Sequence, residues 1–406
     1  MSVTATAIRA RPWRLIAGLV TGLAAGMLLQ GQAQEVVGQL LRPVGSLWLD
    51  ALTMTVVPLV FGLLVVGVAS ASRSAAAGGT TLRALLFFAL MLLVACVAAA
   101  FLAQAMLGLW PVQQGVMAIS DAPVAGWSAD WYKGIIPANP IKAAAETAMV
   151  PLVVFALSLG FALARIEADL ADALLKPLRA IIEAMLVIVG WVLALGPIGI
   201  GALAFGAGAT MGAGVLGALA QYVVVVIACC LAATVLGYVW AVVAGRVSPL
   251  RFARAALPAQ AVALGTQSSL ATLPVMVQGA ERLGLRTQSV AIVLPLAVSL
   301  FRAASAAANV AVAVYLAHLH AVPLGLSGLM LAAIVAVPVS LGAVGLPAQV
   351  SFFATIAPVC IAVGVPVTAL PLLLAIEAVP DLFRTLGNVT NDIAVASIVA
   401  RGTGEE

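Results

Sequence analysis

The sequence predicts an all-α polytopic membrane protein. Of its 406 residues, 64% are hydrophobic and only 8% are charged, whereas a soluble globular domain carries roughly a quarter charged residues. The mean hydropathy is +1.19. Apolar runs of about 18 or more residues recur along the chain, and each run is long enough to cross the hydrocarbon core of a bilayer.

Eight apolar segments are predicted to be membrane-spanning helices. We place them at 13–31, 47–69, 84–110, 140–164, 181–205, 215–243, 288–317 and 368–400. Pro197 predicts a break or bend in the fifth segment, and the charged residues 165–179 before it are interpreted as an amphipathic linker. A basic flank makes the first segment resemble a signal peptide. We expect an uncleaved helix instead, because the later loops alternate correctly in charge only if this segment stays in the membrane.

Two further regions, 255–279 and 326–364, have apolar ends and a polar or glycine-rich middle. Each arm is too short to cross the bilayer alone, which predicts two re-entrant hairpins. Non-helical backbone at membrane depth is tolerated only where protein or water surrounds it. Two such pairs of short apolar segments, each interrupted in its middle at a matching place, indicate the substrate site of a transporter.

The basic residues of the loops predict the orientation. If the N-terminus is cytoplasmic, nearly all of them fall in cytoplasmic loops, and little beyond Arg42 and Lys133 lies outside. We therefore expect both termini in the cytoplasm. The cytoplasmic set is Arg73, Arg83, Arg165, Lys176, Arg179, Arg246, Arg251, Arg254, Arg282 and Arg286.

The last apolar segment carries a stripe of polar side chains. Its members are Glu377, Asp381, Arg384, Thr385, Asn388 and Asp392. Their spacing places them on one face of a helix, and ionisable groups at membrane depth should face protein, water or a ligand. Because a guanidinium fits a carboxylate and Asp accepts from an ammonium group, the stripe predicts a clamp for a small zwitterion or dicarboxylate. The alternative is an internal Asp381–Arg384 salt bridge that only locks helix packing.

Neither nucleic-acid binding nor enzymatic chemistry is supported by the sequence. The basic residues are scattered in short loops, without the run that a nucleic acid would require. Ser268 and Ser269 have no His or Lys partner nearby, so we expect no catalytic residue. The cysteines lack metal-ligand spacing, and His318 and His320 share a predicted loop. The cysteines are Cys96, Cys229, Cys230 and Cys360.

Five segments resemble the dicarboxylate/amino acid:cation symporters, which include bacterial and archaeal aspartate/glutamate transporters and animal excitatory amino acid transporters. Segments 54–68 and 135–161 resemble the second and fourth helices of that family. SSLATLP at 268–274 and GLP at 345–347 resemble the tips of its two hairpins, and DLFRTLGNVTND at 381–392 resembles the binding motif of its last helix. The likeness covers nearly the whole chain, and the motifs are specific in combination.

The resemblance implies a glutamate-transporter-homologue fold of eight transmembrane helices and two re-entrant hairpins, assembled as a homotrimer. A scaffold would comprise 1–72, with helices 1 and 2, and 134–207, with helices 4 and 5. A transport domain would comprise 208–406, together with helix 3 from the segment 73–133, which also holds an external loop. The transport domain would slide across the membrane as an elevator.

The resemblance also implies roles for single residues in a substrate pocket. Arg384 would hold the side-chain carboxylate of the substrate and Asp381 its amino group. Thr385, Asn388 and Ser305 would complete the pocket. Family members that take dicarboxylates without an amino group tend to lack an acid at the position of Asp381, so its presence favours an amino acid.

The hairpin tips would enclose the substrate. By the same resemblance, Ser268 and Ser269 of the first tip would present backbone and hydroxyl groups to the main-chain carboxylate. The second tip would act as the gate. Its residues are Gly345, Leu346 and Pro347.

The chain departs from the family at the seventh helix. The family has an Asn-Met-Asp-Gly-Thr motif there, whose Asn, Asp and Thr build sodium sites. In this chain Phe301 stands for the Asn, Ala303 for the Asp and Ser305 for the Thr. Hard cations need oxygen ligands, so Asp392 is left as the carboxylate of the sodium constellation, with Asn388 beside it.

Arg302 lies next to the lost sodium ligands. One hypothesis is that its guanidinium replaces a bound sodium and pairs with Asp392 or another carboxylate of the last helix. A buried Asp392 without a cation would otherwise take up a proton. The alternative is that Arg302 pairs structurally with another polar surface.

The predicted function is secondary active transport of acidic amino acids or C4-dicarboxylates, by symport with Na⁺ or H⁺ and with altered sodium dependence. A transport-deficient binding or regulatory protein is the alternative. The lost cation ligands favour this alternative. The retained charges argue against it, since charged side chains without a function would only lower the stability of a membrane protein. We expect a plasma-membrane or bacterial inner-membrane location, no nucleic-acid partner and no cofactor besides the coupling ion. The sequence leaves the exact substrate and the coupling ion open.

Overall fold

The structure is a computed structural model, and it describes residues 12–76, 78–112, 135–343 and 348–400. These residues form seventeen α-helices and no β-strand. The helices are α1 Pro12–Leu28, α2 Gly31–Thr53, α3 Val56–Ala76, α4 Gly79–Leu109, α5 Pro140–Ala145, α6 Met149–Leu163, α7 Ala168–Ala194, α8 Gly196–Met211, α9 Gly214–Val243, α10 Pro249–Thr266, α11 Ser269–Arg282, α12 Thr287–Leu300, α13 Ala303–Leu319, α14 Leu326–Gly342, α15 Ala348–Ala362, α16 Leu370–Ile376 and α17 Ala378–Val399.

Five helical stretches in the described part of the chain are long and apolar enough to cross a membrane. They are Gly31–Ala75, Gly79–Leu109, Ala168–Ala194, Gly214–Val243 and Thr287–Leu319. Shorter apolar helices surround them, among them α1, α6, α8 and α14. At a rise of about 1.5 Å per residue, the long stretches exceed the roughly 30 Å hydrocarbon core, so the chain is a helical, multi-pass membrane protein.

Two predicted boundaries are wrong, since polar residues hid helical segments. The second predicted segment began at residue 47, but α2 begins at Gly31 and carries Gln and Glu side chains on its exposed face. The predicted linker 165–179 lies largely within α7. Its charges at 169, 172, 176 and 179 recur at helical spacing opposite the buried Ala171 and Leu175. These helices are amphipathic, so hydropathy alone does not detect them.

Five predicted spans are interrupted. The second breaks at Met54 and Thr55, between α2 and α3, and the fourth breaks between Ala145 and Met149, between α5 and α6. The fifth segment breaks at Leu195, two residues before Pro197, as the proline predicts. The seventh segment was predicted to be continuous, but it breaks at Phe301 and Arg302, between α12 and α13. The eighth breaks at Glu377, between α16 and α17. The breaks in the seventh and eighth segments lie beside buried polar side chains, which can satisfy the freed backbone groups.

Two antiparallel helix pairs occupy the two regions in which hairpins were predicted. In the first pair, α10 and α11 meet at Gln267, whose φ of 52° is left-handed. Its arms reach six and three residues beyond the predicted 255 and 279. The second pair is α14 and α15, and the predicted tip Gly345–Pro347 lies outside the described residues. The arms have 14 to 18 residues, about 21 to 27 Å of helix, and so fall short of the hydrocarbon core.

Glycines fix the packing of α1 against α8. Gly18, Gly22 and Gly26 recur every four residues, and a Cβ at any of them would overlap backbone atoms of α8. Small residues at this spacing let two helices approach closely in a membrane. Trp48 of α2 completes the group by donating from Nε1 to the Val192 carbonyl at 2.8 Å.

The centre of the molecule is α13. All of its residues except His318 are buried, and it packs against α4, α9, α14, α15 and α17. Six of its first nine residues are alanine, so neighbouring helices can come close. The start of this helix, at the break after Phe301, lies beside the polar stripe of α17.

Candidate functional site

Asn388 joins α17 to the start of α13. Its Oδ1 accepts from the backbone N–H groups of Ala304 and Ser305 at 3.0 and 3.1 Å, and its Nδ2 donates to the Ser305 hydroxyl at 2.8 Å. The N-cap residue of α13, Arg302, makes no capping bond itself. Asn388 therefore caps α13 from a second helix, satisfying donors that a helix start leaves free. Two predicted pocket residues are thus brought together.

Arg384 is buried in a network with Glu377. Its Nε lies 2.6 Å from Glu377 Oε1, and its Nη1 donates to Asn309 Oδ1 at 2.8 Å and to the Ser305 carbonyl at 3.3 Å. The Tyr222 hydroxyl donates to Glu377 Oε2 at 2.6 Å. The Asp381–Arg384 salt bridge weighed from the sequence is not formed among the described residues, because Arg384 pairs with Glu377 instead.

One guanidinium nitrogen remains available for a ligand. Nη2 of Arg384 is buried and has no hydrogen-bond partner among the described residues. Asp381, one helical turn before Arg384, is half-buried, and its carboxylate contacts no donor in the described part of the chain. Thr385 is less available, because its hydroxyl donates to the Asp381 carbonyl at 3.0 Å. An unpaired donor and an unpaired acid on adjacent turns can hold a carboxylate and an ammonium group.

The first hairpin tip lies against the start of α17. Ser268 is the N-cap of α11, and its hydroxyl accepts from the Ala271 N–H at 3.2 Å, while Ser269 begins the helix half-buried. Gln267 reaches from the tip to the Ala378 carbonyl at 3.1 Å. This contact brings the serine pair towards the end of α17 that carries Asp381.

Arg302 bridges α13 and the second helix pair. Its Nη1 donates to the hydroxyl of Ser351, in α15, at 3.0 Å. The expected direct ion pair with Asp392 is not formed, because the guanidinium extends towards α15. The charge of Arg302 still interacts with those of Asp381 and Asp392. Its role as a cation surrogate stays a prediction.

Asp392 is the most unusual residue of the site. It is 0% exposed, and neither carboxylate oxygen has a hydrogen-bond partner within the described residues. An isolated carboxylate in such an environment must be neutralised by a proton or a bound cation. The residue that the sequence predicted as a cation ligand is thus buried and unsatisfied.

The two positions that the family resemblance aligns with sodium ligands carry apolar side chains. Phe301 is fully buried and stacks on Phe88 of α4, with ring centroids 4.8 Å apart and planes 7° from parallel. Ala303 is also fully buried. No group of three or more His, Cys, Asp or Glu that could hold a metal occurs in the ranges described. A cation at Asp392 would therefore rely on that single carboxylate with carbonyl or hydroxyl oxygens.

Sequence reasoning missed three residues of this network. Asn309 and Tyr222 contact Arg384 and Glu377, and Ser351 contacts Arg302. Glu377 belongs to the predicted stripe, but the sequence assigns it no role. The amide of Asn309 within an alanine run was the available signal, because polar side chains in such a helix need a partner.

Broken helices and paired half-helices around a buried, partly unsatisfied set of charges are the architecture of a membrane transporter. The profile of the sodium:dicarboxylate symporter family matches residues 12–402, and the chain belongs to that family.

Curated relatives agree with this assignment over nearly the full length. The chain is 24% identical to the proton/sodium-glutamate symport protein of Bacillus caldotenax, over 97% of this chain and 94% of the relative. It is 25% identical to the proton/glutamate-aspartate symporter of Escherichia coli, covering 96% and 92%. It is 26% identical to C4-dicarboxylate transport protein 1 of Pseudomonas paraeruginosa, covering 96% and 88%.

Proposed function

We propose that this protein is a symporter that moves acidic amino acids or C4-dicarboxylates across the bacterial inner membrane, driven by a cation gradient. The observation that carries the proposal is that one site holds three unsatisfied groups. They are Arg384 Nη2, the Asp381 carboxylate and the buried Asp392 carboxylate. Such charges lower the stability of a membrane protein unless a ligand completes them. The functions named for the relatives support both substrate classes.

The residue roles that we propose combine this geometry with the family resemblance. Arg384 would hold a substrate carboxylate through Nη2, and Asp381 would take the amino group. Ser268 and Ser269 would contribute from the first tip, and 345–347 would act as the gate. Asn388 and Ser305 would hold the start of α13 in place rather than supply most of the binding free energy, since their polar groups already bond to each other.

The charge count argues for cation coupling. Glu377, Asp381 and Asp392 carry three negative charges when ionised, against two positive charges on Arg302 and Arg384, which leaves one negative charge. An acidic amino acid would bring another, and uncompensated charges repel strongly at low dielectric. A proton or Na⁺ entering with the substrate would balance them. We propose that Arg302 permanently supplies positive charge that a mobile cation would otherwise provide.

The proposed architecture has eight transmembrane helices and two re-entrant hairpins, with both termini in the cytoplasm. The scaffold would be 1–72 and 134–207, and the transport domain 208–406 with the third transmembrane helix. The contacts of α13 with α4, α9, α14, α15 and α17 support one such body, and the glycine packing of α1 on α8 supports the other. A homotrimer with elevator motion is proposed by family resemblance.

A binding or regulatory protein without transport is the second candidate. The loss of oxygen ligands at Phe301 and Ala303 favours it, because a transporter without coupling ions has no driving force for accumulation. Both candidates require substrate binding, so a transport measurement separates them.

The test is uptake of labelled aspartate, glutamate and succinate by purified protein in liposomes. An inward Na⁺ gradient and an inward H⁺ gradient are imposed separately, with protein-free liposomes as the background. We expect uptake under at least one gradient and its loss in Arg384→Gln. Substrate binding without uptake under either gradient would establish the second candidate, and absence of binding would refute both.

Arg302→Met tests the cation-surrogate role, and Arg302→Lys is the charge-preserving control. Removing the fixed charge should raise the number of coupling cations needed, so uptake should depend more steeply on Na⁺ or H⁺ concentration. The Lys variant should keep the dependence of the wild-type protein. If Arg302→Met leaves the ion dependence unchanged, Arg302 is a structural residue.

A further inference from the structure

A second polar site lies at the base of the α10–α11 pair, at the end remote from the Gln267 tip. There the structure holds a cavity of about 360 Å³. This is room for several waters, at about 30 Å³ each, and therefore for more than a single ion. The lining residues are Ser248, Leu250, Arg251, Arg254, Ala255 and Arg282.

The cavity is strongly basic. Three guanidinium groups line it, and no carboxylate does. Arg251 is held in position by donating from Nη2 to the Leu283 carbonyl at 3.0 Å. Arg254 and Arg282 are exposed and contact no acceptor in the described part of the chain. Like charges repel each other, and an anion bound between these guanidinium groups would relieve that repulsion.

An apolar stripe begins inside this cavity. Leu250 lines it, and Leu250, Leu257 and Leu264 are 61%, 64% and 39% exposed. Because they are spaced by seven residues, they lie along one line of α10, with Arg254 on the same face. The stripe is about 21 Å long, more than the roughly 15 Å of one leaflet of the hydrocarbon core.

We propose that this cavity binds the phosphodiester headgroup of an anionic phospholipid, whose acyl chain lies along the leucine stripe of α10. Guanidinium groups suit phosphate oxygens. In the proposed orientation this cavity lies at the cytoplasmic side, where basic pockets of membrane helices bind such headgroups. The continuity of the basic cavity with an exposed apolar stripe favours a lipid over a free phosphate. The site shares no residue with the proposed transport site and does not depend on the transported substrate.

The experiment counts lipids bound to the full-length purified protein by native mass spectrometry. Palmitoyl-oleoyl phosphatidylglycerol is titrated against palmitoyl-oleoyl phosphatidylcholine, with inorganic phosphate as a soluble competitor. The test variant is Arg254→Gln/Arg282→Gln. The matched control is Arg165→Gln/Arg179→Gln, which removes two exposed charges elsewhere.

We expect the test variant to lose about tenfold or more in phosphatidylglycerol affinity, while phosphatidylcholine binding stays the same and the control binds like wild type. Leu257→Gln should weaken phosphatidylglycerol binding severalfold, because it removes an apolar contact for the acyl chain and leaves the guanidinium groups unchanged. Equal phosphatidylglycerol binding by the test variant and the control would overturn the proposal. Displacement of the lipid by millimolar inorganic phosphate, with Leu257→Gln having no effect, would show a soluble-anion site instead.

Discussion

The Arg384 guanidinium is held by groups from two interrupted spans: by α13 of the seventh span and by Glu377 at the break in the eighth span. Asn309 and Ser305 hold Nη1 from α13, and Glu377 holds Nε from the start of α17. Tyr222 of α9 in turn fixes Glu377. A buried ion pair depends on both partners, because removing one leaves an uncompensated charge. In the absence of substrate, Glu377 is therefore the acid that neutralises Arg384.

Glu377→Gln should make the protein more dependent on its substrate. Losing one charge of a buried pair typically lowers stability by about 3–5 kcal/mol, and a substrate carboxylate can then neutralise Arg384 instead. Thermal unfolding should show a lower Tm without substrate and a larger upward shift with aspartate than in wild type. Tyr222→Phe is the control, since it removes the hydroxyl and leaves the ion pair. An aspartate-induced shift no larger than that of wild type would contradict this role.

At the scale of elements, small residues decide how the helices pack. In α1 the glycines face backbone atoms of α8, with no room for a side chain. In α13 the alanines let several helices meet at the site. Within lipid the hydrophobic effect does not favour one apolar surface over another. Close van der Waals packing therefore decides which helices associate.

Gly22→Ala should destabilise the α1–α8 pair. The added Cβ would overlap Gly201 and lie 2.9 Å from the Ala204 Cβ, so the helices must separate. Overpacking of this kind typically lowers stability by about 1–3 kcal/mol. Gly206→Ala, on the partner helix α8, has open space around its new Cβ and should be neutral or stabilising by up to about 1 kcal/mol. Unfolding in detergent measures both, and equal stability of the two variants would refute this packing account.

At the scale of the whole molecule, the proposed scaffold and transport domain meet through close glycine contacts. A Cβ at Gly67 of α3 would lie 3.1 Å from the Gly342 Cα, and a Cβ at Gly342 of α14 would lie 3.2 Å from backbone atoms of Leu63. If α14 slides past α3 during transport, the absence of side chains at these glycines permits the movement, and an added side chain would slow it.

Gly342→Ala should therefore lower the maximal uptake rate severalfold and leave the substrate dissociation constant unchanged. Gly62→Ala is the matched control, because its new Cβ would lie 2.9 Å from Ile182 of α7, within the proposed scaffold. The control should lower the Tm without slowing transport per folded molecule. Liposome uptake and binding titrations measure both quantities. Equal effects of the two variants on transport rate would argue against sliding at α3 and α14.

The sequence predicted the membrane class and most of the helical segments. These follow from composition and from apolar runs, which are local properties. The same signal missed the first half of α2 and misread the start of α7, because their polar faces lower the average hydropathy. Asp381, Arg384 and Asn388 were found because one helical stripe carries them together.

What the sequence by itself determined is the class, the family and the polar face of the last helix. Only the tertiary structure decided which groups are satisfied. It paired Arg384 with Glu377 instead of Asp381, made Asn388 the cap of α13 and directed Arg302 towards Ser351. The physical reason is that hydrogen bonds and ion pairs are short-range, so their partners depend on how distant segments pack. Helical periodicity gives the face that a residue occupies, but not the groups that it meets across the core.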